Sequence, residues 1–246
     1  SFLIHIFKFL KYIKREKIET TISFLTRSNL LNIVAGFFSK RKVYIYERSI
    51  LSKIYDNKNI LKRIIFKTII LLYGCSSKIF VLSEFAKKDL IINGIDSTKI
   101  YVIPNPVKVL KSKSYLLDRN IDGKSIISIS TCSRLIKSKN VDFIINLIDS
   151  LNKQPNPMFK FTLNIIGDGD EYHNLKYLVQ RKNLQTVVLF SGWVKNPIEI
   201  LAQTDIFLFA SDYEGFGNVI LEAMSVGLPV VAYNSKGGVE DILNNG

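Results

Sequence analysis

The feature that most constrains this sequence is a glycine-containing segment between two short apolar runs near its C-terminal end. The runs at residues 205–210 and 228–233 both have the length and composition of buried parallel strands. Between them, residues 218–226 have helical spacing, and Gly227 follows where a helix would end. The segment therefore predicts a strand, a Gly-rich loop, a short helix and a second strand, as in an open parallel α/β sheet.

The loop of this unit carries two carboxylates around a Gly-x-Gly turn. Gly215 and Gly217 allow a tight turn and a close approach to an anion, and the N-terminus of the following helix attracts phosphate. Glu214 lies in the loop, whereas Glu222 lies about one turn into the helix, with its side chain directed back toward the N-terminus. Carboxylates bind phosphate poorly but accept hydrogen bonds from sugar hydroxyls. The pattern predicts a ligand that has both a diphosphate and sugars.

This arrangement resembles the E-x7-E signature of the retaining GT-B glycosyltransferases of family 4, which include bacterial lipopolysaccharide, capsule and glycan-assembly enzymes. The resemblance implies that Glu214 lies near the hydroxyls of the donor sugar and that Glu222 holds the ribose hydroxyls of the nucleotide. It also implies that backbone amides of the loop meet the distal phosphate. The loop residues concerned are Gly215, Phe216, Gly217 and Asn218.

A second segment, residues 125–140, is similar to the part of the family that opens the donor domain. Arg134 and Lys139 fall at the family's spacing, although Ser133 and Asn140 stand where the family usually has glycine. The resemblance implies that the two cations neutralise the diphosphate as it leaves, a task that suits a guanidinium fork and an ammonium point charge. The alternative for both residues is a solvated loop charge.

A third segment carries a Gly-Asp-Gly turn after the strand-like run at residues 161–166. It resembles the family's loop beside the nucleotide, which makes Gly167 and Gly169 candidate donor-binding residues. Without the other segments, the same three residues would indicate only a turn. The order of all these segments along the chain also matches the family.

The N-terminal half predicts a second set of strands, with Ser83 as a helix N-cap. Strand-like runs cover residues 20–25, 43–48, 79–82 and 99–103, and a helical pattern covers residues 28–38. The predicted fold class is α/β of GT-B type, with two Rossmann-like domains whose parallel sheets face a cleft. We assign residues 1–108 to an acceptor-side domain, 109–124 to a linker and 125–246 to a nucleotide-sugar donor domain. The resemblance further predicts that both domains are incomplete, because the family's first strand–loop–helix unit and its closing segments have no counterpart in the sequence.

Other chemistry is less defined by the sequence. Glu47 and Arg48 occupy roughly the region of the family's acceptor-side histidine, and an acceptor role for them rests on position alone. Cys75 and Cys132 fall in different predicted domains, and no Cys/His cluster has the spacing of metal ligands. The sequence therefore predicts no disulfide and no metal site.

Charge is unevenly distributed along the chain. Residues 1–125 hold 24 Lys and Arg against 9 Asp and Glu, whereas residues 126–246 hold 10 against 12. A basic domain is attracted to anionic surfaces, so an anionic membrane surface is an expected partner, and residues 1–17 are a candidate interfacial helix. The alternative is a core helix with a charged edge. Because no apolar run is long enough to span a bilayer and no signal peptide is recognisable, we expect a cytoplasmic protein, peripheral on the inner face of the plasma membrane.

The resemblance as a whole predicts a retaining glycosyltransferase. It would move a sugar from a UDP- or GDP-sugar to a glycan or lipid-linked acceptor in cell-surface polysaccharide biosynthesis. The nucleotide sugar is a substrate, and no cofactor or metal is expected, because Arg134, Lys139 and a helix N-terminus supply the positive charge. Three alternatives stay open: an inactive nucleotide-sugar-binding fragment or paralogue, a basic nucleic-acid-binding protein, and another two-domain enzyme such as a sugar-nucleotide epimerase. Nucleic acid is not the expected partner, because no known reader module is recognisable.

Overall fold

The computed structural model describes residues 2–55, 59–107, 120–121, 124–155 and 158–243. The described residues form two compact units, of which the first takes in residues 2–105 together with 214–216 and 243, and the second takes in the others. The predicted linker, residues 109–124, lies outside the described residues except for positions 120–121 and 124, and so do both chain ends at residues 1 and 244–246. The domain boundaries given by the sequence therefore stay predictions.

The first unit is built on a four-stranded parallel sheet in which the spatial order of the strands follows the chain. Its strands are β1 (Thr20–Phe24), β2 (Lys42–Glu47), β3 (Lys78–Val81) and β4 (Ile100–Val102). Its helices are α1 (Phe2–Arg15), α2 (Thr26–Ser39), α3 (Leu51–Ile54), α4 (Ile60–Gly74) and α5 (Glu84–Ile92), with a 3₁₀ turn at Ser97–Lys99. Because parallel crossovers are right-handed, this strand order places the connecting helices on one face of the sheet. Ile45, Ile79 and Val81 are fully buried in the core of this unit.

The predicted strands of the first unit and its predicted second helix are confirmed, with boundaries shifted by one or two residues. Ser83 is the N-cap of α5, and its side chain accepts a hydrogen bond from the backbone N–H of Ala86. Helix α4 was not predicted. Its sequence is apolar on most sides, so it lacks the periodicity from which an amphipathic helix is recognised.

The second unit is built on a larger, mainly parallel sheet with the order β11-β9-β6-β7-β8. Its strands are β5 (Asn120–Ile121), β6 (Lys124–Cys132), β7 (Phe159–Ile166), β8 (Val188–Gly192), β9 (Ile206–Phe209) and β11 (Val230–Ala232), and β5 pairs antiparallel with β6. Two short strands, β10 (Tyr213–Glu214) and β12 (Lys236–Gly237), pair separately. Strands β6, β7 and β8 follow one another in one direction, and β9 then lies on the other side of β6. The direction in which strands are added to the sheet therefore reverses at β6, so the pair β6 and β9 is the topological switch point of the sheet.

The helices of the second unit cover the sheet and close its core. They are α6 (Val141–Asn152), α7 (Tyr172–Arg181), α8 (Ile198–Leu201), α9 (Asn218–Ser225) and α10 (Val239–Leu243), with a 3₁₀ turn at Lys137–Lys139. Ile144, Ile145 and Ile148 of α6 are buried against the strands. The predicted strand–loop–helix–strand order from residue 205 to 233 is confirmed. Across the described residues, we find no helix that is both long and apolar enough to cross a membrane.

Candidate functional site

The predicted donor-site residues of the second unit lie at the carboxyl ends of its strands, mainly around the switch point. The loop after β6 comprises residues 133–140 and carries Arg134 and Lys139; the loop after β9 comprises residues 210–217 and leads to α9. The backbone N–H of Asp212 donates to the carbonyl of Ser138 at 2.9 Å, so the two loops are in direct contact. In open parallel sheets, ligands bind in the crevice at this position.

Asn140 joins the same two loops through its side chain. Its Nδ2 donates to the carbonyl of Ala210 at 3.0 Å and to Oδ1 of Asp212 at 2.6 Å. Its φ of 51° lies in the left-handed region, which Asn tolerates better than most residues. Asn140 therefore fits where the family usually has glycine, and it adds two contacts that glycine cannot make.

Gly167 and Gly169 allow the turn after β7 to pack closely against the loop that carries Arg134. The backbone N–H groups of Ser133 and Leu135 donate to the carbonyls of Ile166 and Asp168 at 3.0 and 2.9 Å. A Cβ atom on Gly167 would lie 1.8 Å from the carbonyl oxygen of Ser133, and one on Gly169 would lie 2.5 Å from that of Leu135. Both glycines thus have a structural reason to be there, and they position the Arg134 loop.

The N-terminus of α9 is formed by the Gly-rich segment after β10. Gly217 is the N-cap with a left-handed φ of 98°, and this end of the helix has no side-chain cap among the residues that the structure covers. Phe216 is buried and only 6% exposed, whereas Asn218 is exposed at the first position of the helix. Glu214 and Gly215 precede this turn. The segment therefore has the local form that the sequence predicted for a phosphate-binding helix N-terminus.

Glu222 lies on α9 close to the last residue of β6. Burial raises the pKa of the half-buried Glu222 carboxyl above its usual value. The pKa of the Cys132 thiol is raised to about 11, chiefly by burial and further by the negative charge of Glu222. The carboxylate therefore lies at the same edge of the sheet as Arg134, and Cys132 is a neutral thiol rather than a nucleophile.

One polar group at this edge was missed by sequence reasoning. Ser133 Oγ is buried, and it has no hydrogen-bond partner among the residues that the structure describes. A buried hydroxyl without a partner is energetically costly, so groups of this kind often mark ligand sites. Its only signal in the sequence was a polar residue at a position where the family usually has glycine.

Two further features of the described residues lie apart from this edge. A cavity of about 500 Å³ in the second unit is lined by residues along the strands, among them Ser128, Thr162 and Gln203, and includes none of the predicted site residues. No cluster of three or more His, Cys, Asp and Glu side chains suited to a metal ion occurs in the described parts of the chain.

In the first unit, Glu47 is a structural anchor rather than an exposed carboxylate. It is 2% exposed at the end of β2. Its Oε2 accepts hydrogen bonds from Thr26 at 2.9 Å and from the hydroxyl of Tyr73 at 2.6 Å. Its Oε1 accepts from the backbone N–H groups of Arg48 and Ser49, both at 3.0 Å. These contacts fix the turn after β2, where Arg48 is exposed.

The fold and the glycine-containing loops at the switch point define an α/β protein of GT-B type. Residues 118–246 match the family described as "Glycosyl transferases group 1". This match covers more than half of the chain, and the chain belongs to that family.

Similarity to curated proteins agrees with this membership. The chain is 34% identical over 149 residues to the O-antigen biosynthesis glycosyltransferase WclY of Escherichia coli, covering 61% of this chain and 38% of WclY. It is 28% identical over 241 residues to the N-acetylgalactosamine-N,N'-diacetylbacillosaminyl-diphospho-undecaprenol 4-alpha-N-acetylgalactosaminyltransferase of Campylobacter jejuni, covering 97% of this chain and 64% of that enzyme. The chain thus spans less than two thirds of the length of these relatives.

Similarity to solved structures confirms the fold. HepE of Anabaena, solved in complex with UDP, matches with a TM-score of 0.79 at 19% identity, over 96% of this chain and 65% of HepE. At this level of identity the similarity establishes the fold alone.

Proposed function

We propose that this chain provides the catalytic region of a retaining family 4 glycosyltransferase. It transfers a sugar from a UDP- or GDP-sugar to a glycan or lipid-linked acceptor in cell-surface polysaccharide biosynthesis. The observation that carries this proposal is the switch point between β6 and β9, where the Arg134 loop contacts the loop that leads to α9. The group 1 family match and the activities named for WclY and for the Campylobacter jejuni enzyme support it.

The residues at this edge suit the chemistry of a departing nucleoside diphosphate. Arg134 and Lys139 stabilise the negative charge that builds on the leaving diphosphate, which is electrostatic catalysis. The amides around Gly215 and Gly217 hold the distal phosphate at the N-terminus of α9, the loop of Gly167 and Gly169 borders the nucleotide, and the buried hydroxyl of Ser133 is a further donor.

Donor recognition falls to carboxylates under this proposal. Glu214 accepts hydrogen bonds from the donor sugar, and Glu222 accepts them from the ribose. Retention follows a front-face route, in which the leaving phosphate takes the proton of the acceptor hydroxyl while the new glycosidic bond forms. No metal ion or cofactor is required, because protein cations and the helix N-terminus neutralise the diphosphate. The reaction takes place in the cytoplasm, at the anionic inner face of the plasma membrane.

Calorimetry of the purified chain against UDP-, GDP- and ADP-sugars tests the donor site. We expect one nucleotide class to bind with about micromolar affinity, in the presence or absence of a chelator. Arg134→Ala and Glu222→Ala should each weaken binding about tenfold or more, because each removes a charge-assisted hydrogen bond. Arg181→Ala is the matched control, since Arg181 is exposed at the C-terminal end of α7, the end of that helix farther from the Gly167–Gly169 turn.

Two outcomes would count against the proposal in different ways. If a folded chain binds none of these sugars, or if all variants bind like the parent, the donor site is wrong. If the chain binds a donor but transfers no sugar to glycan or lipid-linked acceptors, it is an inactive nucleotide-sugar-binding fragment or paralogue.

A further inference from the structure

Helix α4 presents large aliphatic side chains on the side turned away from the core. Its core side consists of Phe66, Ile69 and Tyr73, which are 6%, 2% and 0% exposed. The side facing away carries apolar residues at helical spacing and two cations beside them. We call this set the α4 outer face: Ile60, Leu61, Arg63, Ile64, Lys67 and Leu71.

The apolar side chains of the α4 outer face are not packed within the first unit. Ile60, Leu61, Ile64 and Leu71 are 77%, 62%, 57% and 73% exposed. A surface helix usually has one apolar side and one polar side, and a helix that is apolar on both sides is normally covered on both. The outer face therefore fits a second, apolar environment.

The charge of α4 indicates what kind of environment this is. Lys62, Arg63 and Lys67 are all exposed, and the helix has no acidic residue. Cations near a helix N-terminus oppose the helix dipole, so helix stability does not explain the first two. Helices α1 and α2, the latter packed against α4, also lack acidic residues, whereas α5 contains Glu84 and Asp89.

The position of α4 places this face near the end of the sheet where ligands bind. Only residues 75–77 separate the end of α4 from the start of β3, so the helix ends at the amino edge of the sheet and begins near the carboxyl edge. Its exposed first turns therefore lie toward the same edge as Arg48, at the end of β2. A membrane that binds to the α4 outer face would hold a membrane-embedded acceptor near this edge of the sheet.

We propose that the α4 outer face docks on an anionic lipid bilayer, with its aliphatic side chains in the headgroup region and its cations against lipid phosphates. Its role in delivering a lipid-linked acceptor rests on the proposed function, but the binding itself does not. A second copy of the chain fits poorly, because a two-fold contact through this face would bring its cations together. A nucleic acid would engage the cations but leave the aliphatic side chains in water.

Vesicle flotation of the full chain tests this surface. The probes are vesicles of phosphatidylcholine alone and vesicles with a third phosphatidylglycerol, without any nucleotide sugar. We expect binding only to the anionic vesicles and a loss of binding at high salt. Lys67→Gln/Leu71→Gln removes one cation and one aliphatic side chain four residues apart on the outer face. It should weaken vesicle binding by about tenfold or more, since one cation near the surface already contributes about fivefold.

The matched control has the same spacing and residue types on a neighbouring helix. Lys88→Gln/Ile92→Gln changes an exposed Lys and an Ile that is 83% exposed on α5. We expect it to bind anionic vesicles like the parent, and circular dichroism should show both variants folded. Equal binding to neutral and anionic vesicles, or equal losses in both double variants, would overturn the proposal. A nucleic-acid surface would give a different result. The chain would bind RNA in a salt-sensitive way and would not bind vesicles. Lys67→Gln alone would then weaken RNA binding as much as Lys67→Gln/Leu71→Gln does.

Failure of this proposal and failure of the proposed function are distinguishable. A chain that floats with anionic vesicles but binds no nucleotide sugar keeps the lipid surface and loses the donor site. A chain that binds a nucleotide sugar but no vesicle keeps the donor site and loses the lipid surface.

Discussion

The two sheets of this protein fix the loops at their carboxyl ends in different ways. In the second sheet, glycines and backbone hydrogen bonds hold the loops together, as where Ser133 and Leu135 bond the Gly167–Gly169 turn, and the Asn140 side chain adds to these contacts. In the first sheet, buried side chains do so, with Glu47 accepting hydrogen bonds from Tyr73, Thr26 and the turn after β2. The first mechanism leaves a motif in the sequence, whereas the second depends on residues that are far apart in the chain.

Gly167→Ala should have the largest effect on stability, because the new methyl group would clash with the backbone of the neighbouring loop. The new Cβ would lie 1.8 Å from the Ser133 carbonyl oxygen, and the φ of 137° is already unfavourable for alanine. Backbone rather than a flexible side chain would have to move. We expect a loss of about 3 kcal/mol or more in the free energy of unfolding, measured by urea denaturation.

The control for this change is Gly192→Ala. Gly192 also has a left-handed φ, of 67°, but a Cβ atom there has nothing within 4 Å among the described residues. We expect a loss of only about 1 kcal/mol, from backbone strain alone. Equal losses in the two variants would show that strain, and not the contact between the loops, is what requires glycine at position 167.

Tyr73→Phe should have the next largest effect on stability, because it removes one hydrogen bond from the side-chain network around Glu47 in the first sheet. The Tyr73 hydroxyl donates to Glu47 and accepts from Asn29 Nδ2 at 3.1 Å. Burial, and next to it the charge of Glu47, raise the pKa of Tyr73, so the hydroxyl stays protonated and keeps its role as a donor. Removing a hydrogen bond to a buried carboxylate should cost about 1.5–3 kcal/mol in urea denaturation.

Tyr101→Phe is the control for Tyr73→Phe within the same unit. Tyr101 lies on β4 and is 43% exposed, so the change should stay within about 0.5 kcal/mol. If Tyr73→Phe is equally mild, Glu47 does not depend on this donor, and the contrast between the two sheets weakens.

The same contrast between local and distant contacts explains which parts of the structure could be predicted from the sequence. The strands, the Gly-rich loop and the helix from Asn218 could be predicted, because glycines and short apolar runs are local signals. Helix α4 could not, because Ile60, Ile64 and Leu71 on one side and Phe66, Ile69 and Tyr73 on the other leave no apolar period. The network of Glu47 could not either, because its partners Thr26 and Tyr73 are joined only by the fold. At the candidate site, the Ser133 hydroxyl, which has no partner in the described parts of the chain, and the burial of Glu222 likewise depend on tertiary contacts.

Glu222→Gln should have the smallest effect on stability, but its sign would be informative. Burial raises the pKa of Glu222 above its usual value of 4.5, so the folded chain binds this proton more tightly than the unfolded chain does. The stabilisation of the fold by this proton is therefore fully present when the pH is below the usual pKa of a glutamate, and it is lost as the pH rises through the raised pKa of Glu222. We expect Glu222→Gln to melt slightly above the parent at neutral pH, with the difference shrinking as pH is lowered toward 4.5.

The same variant should bind a nucleotide sugar more weakly than the parent, although it is more stable. Glu199→Gln, at an exposed position of α8, is the control for the loss of one charge. A residue whose ionised form costs stability but improves ligand binding is typical of a functional site, because a side chain with a purely structural role has no reason to keep that cost. A Glu222→Gln variant that melts below the parent at neutral pH would show instead that the carboxylate stabilises the fold. In that case, the edge of the second sheet would depend on a carboxylate in the same way as the edge of the first.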